Sequence, residues 1–152
     1  MIHLDTTVTI ALLNGRPEQV RKHFAAARKA GTCIGMSVIV FHELKYGAAA
    51  SERQRGNEEK IALFVASGSI DIIEFSEADA DEAADIRAHL RRQGTPIGPC
   101  EVLIAAQARR AGAVLVTANT GEFARVPRLQ VINWAARPPK DPDERAGNGQ
   151  HE

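Results

Sequence analysis

The chain has 152 residues, 44% hydrophobic and 25% charged, which is the size of one domain with a sizeable core. Its 19 basic and 19 acidic residues cancel, so no overall field draws it to nucleic acid or membrane, and a polyanion has to be gripped by local basic patches or by metal ions held on carboxylates. No apolar run approaches the roughly 18 residues of a membrane span. Met1-Ile2-His3-Leu4-Asp5 lacks the pattern of a signal peptide, and Cys33 and Cys100, without CxxC spacing, fit a reduced cytoplasmic chain in which they serve as small core hydrophobes.

Ile2 to Leu4 reads as a short strand that runs into Asp5-Thr6-Thr7, a polar turn and helix start. Residues 8–13 continue as an apolar helix closed by Asn14-Gly15-Arg16-Pro17. From Glu18 to Ala30, Val20, Phe24 and Ala27 recur at helical spacing, and Gly31 is the stop. Residues 33–36 form a second buried strand, and Ser37 caps a helix that carries Phe41, Leu44 and Ala48 on one side. A polar stretch over residues 51–57 precedes a helix over 58–66. Residues 70–75 are the third strand, and Ser76 with Asp79 forms a capping box for a helix reaching Gln93. Thr95-Pro96-Ile97-Gly98-Pro99 breaks the chain, a helix spans 101–111, Val114-Leu115-Val116 is a fourth strand, and Val131-Ile132 is a short fifth. Strands alternating with helices give an α/β class with a central, mostly parallel sheet covered on both faces. The expected domain covers residues 1–134. Residues 135–152, rich in Pro, Gly and charge, are expected to be a disordered tail.

In an open parallel sheet, ligands bind outside the carboxyl ends of the strands. Asp5 follows the first strand, Glu43 lies one to two turns into the helix after the second, and Asn119 and Glu122 follow the fourth; Glu101 opens the helix after the Pro-Ile-Gly-Pro break. Clustered carboxylates are hard oxygen donors suited to Mg²⁺ or Mn²⁺, which can activate water and offset charge in a phosphoryl displacement. Singly, each has a plainer reading: Asp5 as a helix cap, Glu43 as an exposed helix acid, Glu101 as a charge favoured at a helix start, Asn119 as an Asx turn and Glu122 as surface charge. RNA would be held by Arg87, Arg91, Arg92, Arg109, Arg110, Arg125 and Arg128, each of which alone also fits a solvated face. His42 and His89 read as surface or packing residues and Trp134 as a core plug. A haloacid-dehalogenase-like phosphatase would share an Asp after the first strand, but the later Lys and Gly-Asp-x-x-x-Asp set is missing.

Leu4-Asp5-Thr6, Ser37-Val38-Ile39 with Glu43 to Ala48, Ile86-Arg87-Ala88 with Pro96-Ile97-Gly98-Pro99, Leu103 to Ala106, and Leu115 to Asn119 with Glu122-Phe123 together resemble a PIN domain. So do Arg125-Val126-Pro127 and Asn133-Trp134. More closely, they resemble the VapC toxins of type II toxin–antitoxin systems. The resemblance covers residues 1–134 in order. It implies a PIN-like α/β/α sandwich, a homodimer, and Mg²⁺- or Mn²⁺-dependent endoribonuclease activity on tRNA, rRNA or mRNA, neutralised by a VapB antitoxin through which operator DNA is bound. By position, Asp5, Glu43 and Glu101 take the places of the family's metal-binding acids, Thr6 matches its Thr beside the first Asp, and Asn119 and Glu122 fall in the segment that completes the site. Three positions depart from the family pattern: Thr7 replaces Asn, Glu101 replaces Asp, and Ala118 replaces a frequent Asn. These departures give a second expectation, an activity-impaired VapC-like protein that binds antitoxin without cleaving RNA.

Overall fold

The computed structural model of the chain describes residues 1–136. Five short strands, β1 (Ile2–Leu4), β2 (Ile34–Ser37), β3 (Asp71–Ile73), β4 (Val114–Val116) and β5 (Gln130–Ile132), pair in the order β3-β2-β1-β4-β5, all parallel. Neighbours in a strand point to opposite faces. His3 and Leu4 are nonetheless both buried, as are Leu115 and Val116, so the central strands are covered on both sides. The cover is seven helices among the described residues: α1 (Thr6–Asn14), α2 (Glu18–Lys29), α3 (Val38–Ala49), α4 (Gln54–Ala66), α5 (Glu77–Arg92), α6 (Pro99–Arg110) and the single turn α7 (Thr120–Phe123). The first four pack on one another, and α5 lies along α6. This is the α/β/α sandwich expected from the alternation of elements. No described helix is long and apolar enough to cross a membrane.

Local chemistry explains the boundaries. Ser37 ends β2 and accepts the Ile39 amide at 3.0 Å, so α3 starts at once. With its partner strand gone, β3 ends at Ile73 rather than at residue 75, and Gln107 of α6 takes over by donating to the carbonyl of Glu74 at 2.8 Å. Ser76 and Asp79 form the expected reciprocal capping box on α5. The polar stretch read as a loop already starts α4 at Gln54, because the Ser51 hydroxyl accepts both the Arg53 amide and the Asn57 side chain at 3.1 Å. Trp134 is buried and stacks on His23 with ring centroids 5.8 Å apart, as a plug should. His42 is exposed and His89 half-buried, in keeping with their surface reading. The cysteines correct the expectation of core thiols: Cys33 is exposed just before β2, and Cys100 is half-buried beside two glutamates. Residues 137–152, most of the expected tail, lie outside the described residues.

Gly35 is the tight point of the sheet. A Cβ there would lie 3.1 Å from Cδ2 of His3 and would overlap the tip of Ile73. Gly35→Val is therefore expected to destabilise the fold by about 1–3 kcal/mol through overpacking, read as a lower urea midpoint with an unchanged slope.

Candidate active site

The sheet order reverses between β1 and β4: β1 connects toward β2 on one side, β4 toward β5 on the other, and the two exits part to leave a crevice. Asp5 is the first residue past β1. Its amide donates to the Val116 carbonyl at 3.0 Å, and its carbonyl accepts the amide and hydroxyl of Thr9 at 3.0 and 2.9 Å. The side chain is only 4% exposed. Although Asp5 stands at the N-cap of α1, its carboxylate makes no capping bond. It accepts instead from the hydroxyl of Thr117, the first residue past β4, at 2.6 Å and from that of Thr7 at 3.2 Å. The same hydroxyls accept backbone amides in turn, Asn119 to Thr117 at 2.9 Å and Ala118 to Thr7 at 3.0 Å. Two threonines thus clip the β4 exit onto Asp5.

Glu43 projects from α3 and accepts the Thr6 hydroxyl. Asn119, at the N-cap of α7, also makes no capping bond, and its side-chain amide donates to Glu122 at 3.0 Å. Glu101 lies in the first turn of α6, where burial pushes its carboxyl pKa up. The charges of Glu43, Glu122 and Asp5 push the same way, and a hydrogen bond from its own backbone amide opposes them. Four carboxylates from distant parts of the chain therefore share one pocket. Burial, then the charges of Glu43 and Glu101, also raise the Cys100 thiol, so it is a poor nucleophile.

Asp5 and Glu43 are bonded to neighbouring threonines, Asn119 to Glu122, and Glu101 is near enough for the charges of these acids to act on it; carboxylate and amide oxygens are hard donors of the kind a divalent cation takes. They do not form a ready cage: as the side chains stand, no three Asp, Glu, His or Cys donors among the described residues converge on one point. The carboxylate of Glu101 folds back over Gly98, where a Cβ would collide with it. Sequence reading missed Thr117; the signal was a hydroxyl directly after β4, in the strand beside β1. It also overcounted the free cations. Arg109, with a side chain 4% exposed, is locked to Glu82, Asp85 and the Pro127 carbonyl, and Arg110 is paired with buried Asp79, so these two hold α6 against its surroundings instead of facing RNA.

The sequence profile of the PIN domain matches residues 2–129. A tRNA(fMet)-specific endonuclease VapC of Shigella flexneri is 38% identical over 132 residues, covering 87% of this chain and 96% of the relative. Ribonuclease VapC2 of Rickettsia felis is 34% identical, covering 86% and 96%. Among solved structures, VapBC2 of Rickettsia felis bound to a promoter DNA fragment contains a chain that superposes with a TM-score of 0.81 at 32% identity, covering 88% of this chain and 99% of that one.

The raised Glu101 sets a pH-dependent stability. The folded chain holds this proton more tightly than the unfolded chain. Below the ordinary glutamate range both forms are protonated and nothing is lost, whereas above the folded value both are ionised and the fold carries the full penalty. In EDTA, Glu101→Gln is expected to melt higher than wild type at pH 7, with the gap closing as the pH falls toward about 4. Equal melting temperatures at neutral pH would contradict a crowded Glu101.

Proposed function

We propose that this chain, which belongs to the PIN-domain family and within it to the VapC ribonucleases, is the toxin of a toxin–antitoxin pair and hydrolyses RNA phosphodiesters at the acidic pocket with the help of Mg²⁺ or Mn²⁺. One arrangement carries the reading: Thr117 and Thr7 hold Asp5, Thr6 beside it holds Glu43, and Glu122 follows at the β4 exit, with Glu101 near enough for their charges to raise its carboxyl pKa. Uncompensated negative charge built from hard oxygens fits a divalent cation, with Asp5, Glu43 and Glu101 as its holders. Such an ion would supply charge that activates water and offsets the charge developing on the phosphoryl oxygens. The chain's own part is positioning. Thr117 and Thr7 fix the Asp5 carboxylate and Thr6 fixes Glu43. Asn119 holds Glu122, which in this reading orients the attacking water.

The relatives' complexes support a VapB-type antitoxin as partner, with operator DNA bound through it, and the proposed assembly contains this chain as a homodimer. A groove lined by Ile10, Leu13, Glu43, Leu44 and Ile61 opens beside the pocket, and Ile10 is 45% exposed there. A partner segment lying in that groove would reach the acids, and a basic side chain on it would take the place of the cation. The second reading, an impaired toxin that binds antitoxin without cutting, is favoured by the turned-back Glu101 and the open arrangement of the acids.

RNA cleavage by the purified chain is expected in Mg²⁺ or Mn²⁺ and not in EDTA, and Asp5→Ala should lower it by at least about 10²-fold. Equal cleavage in all of these would end the nuclease reading. Thr117→Val, which removes a supporting bond to Asp5, should cost about 10–100-fold. Glu101→Asp separates the two readings: a large gain in rate marks the wild-type chain as impaired, and an unchanged or lower rate marks Glu101 as competent.

A further inference from the structure

Two arginines without an ion pair stand together beside the loop that leads into α6. Arg87 and Arg91 sit four residues apart on α5 and are exposed, and among the described residues no carboxylate lies within ion-pair distance of either. Like charges at this spacing repel. The two border a cavity of about 400 Å³ whose apolar surface comes from Leu90, Pro96, Ile97 and Pro99. Arg125, just past α7, donates to the carbonyl of Pro96, one of the lining residues, at 3.1 Å. The wall of this cavity, residues 96–99, runs straight into α6, and Gly98 within it lies beneath the Glu101 carboxylate. A basic cavity and the acidic pocket therefore share one short loop.

The geometry points to a phosphate subsite: this cavity takes a phosphate of the RNA strand next to the scissile bond, on Arg87 and Arg91, while the attached ribose or base rests on Pro96, Ile97 and Pro99. The inference builds on the nuclease reading and names where the strand is gripped. Guanidinium forks match phosphate oxygens, and two arginines can hold one phosphate or neighbouring ones. The remaining surface is mostly hydrocarbon and offers little to read a base edge, so the contact fixes position without selecting sequence. With zero net charge overall and acids at the proposed reaction centre, binding of a polyanion has to rest on local cationic sites such as this one.

The test uses the full chain and 3′-labelled bulk tRNA, with cleavage measured in Mn²⁺ and binding measured in EDTA across about 50–200 mM salt. The Arg87→Gln/Arg91→Gln double variant should raise KM with kcat little changed, because a phosphate contact made equally before and during reaction is uniform binding. Its log Kd against log salt slope should be shallower by about 1 per arginine. Arg87→Lys/Arg91→Lys should restore the slope, and Arg55→Gln, on α4, should leave it unchanged. If wild type cleaves but the double variant keeps its slope and KM, the subsite is wrong and the nuclease reading stands. Loss of antitoxin capture with an unaltered RNA slope would also overturn it, by assigning the arginines to an acidic protein segment. If wild type binds with the arginine-dependent slope yet never cleaves, the subsite stands and the nuclease reading falls.

Discussion

A hydroxyl and a carboxylate 112 residues apart in sequence hold the site together. Asp5 and Thr117 are each the first residue beyond a central strand, and each backbone is already fixed by a sheet-like bond, Asp5 to Val116 and Thr117 to Ile132. Their side chains are brought into contact by strand order alone, since β1 and β4 are neighbours with matched register. A carboxylate as buried as that of Asp5 is costly unless hydrogen-bonded, and a bond to a charged group is worth about 1.5–3 kcal/mol. Thr117 supplies that bond and passes the constraint on through the Asn119 amide to the turn that carries Glu122. The position of the last acid thus depends on the first.

Charge balance hides a sharp internal sorting. Arg109 and Arg110 are committed to Glu82, Asp85 and Asp79, all on α5, so they bind α6 to α5. Asp79 shows how fully that pairing is compensated: burial would raise its carboxyl pKa, yet the Arg110 guanidinium and the Ser76 backbone and hydroxyl hold it below the ordinary value. The acids of the pocket accept from hydroxyls and a side-chain amide, but among the described residues none pairs with an arginine or lysine. Glu101 is shifted the opposite way although it belongs to the same helix as both arginines. The contrast separates acids that maintain the architecture from acids left in tension with it.

The sequence made much of this legible, for identifiable reasons. The Ser37 cap and the Ser76–Asp79 box are local chemistry, and each formed as its residues dictate. Asp5, Asn119 and Glu122 stood out as candidates because a strand end is a defined place in a parallel sheet. What stayed hidden depends on pairing between distant segments. Thr117 matters only because β4 lies beside β1, and Arg109 looks like any solvated arginine until α5 lies alongside it. The early start of α4 was masked because a polar stretch reads as loop unless the Ser51 hydroxyl is seen accepting its neighbours. Cys33 illustrates the reverse error: a residue type that is usually buried sits one step outside the strand, exposed.

Glu101 shows how a single methylene changes the balance at such a site. Two places compete for its carboxylate. One is the start of α6, where its own backbone amide and the positive end of the helix offer roughly 0.3–1 kcal/mol. The other is the pocket, where Asp5, Glu43 and Glu122 repel it. A shorter Asp side chain has less reach to fold back over Gly98, whereas Glu is long enough to retreat and does so. The retreat lowers repulsion among the acids and at the same time opens the ligand set. Positive charge among these acids, or protonation of Glu101, would reverse the preference, so a cation or cationic side chain entering the site would also order it. An Arg or Lys from a partner and a metal ion would compete for the same uncompensated charge.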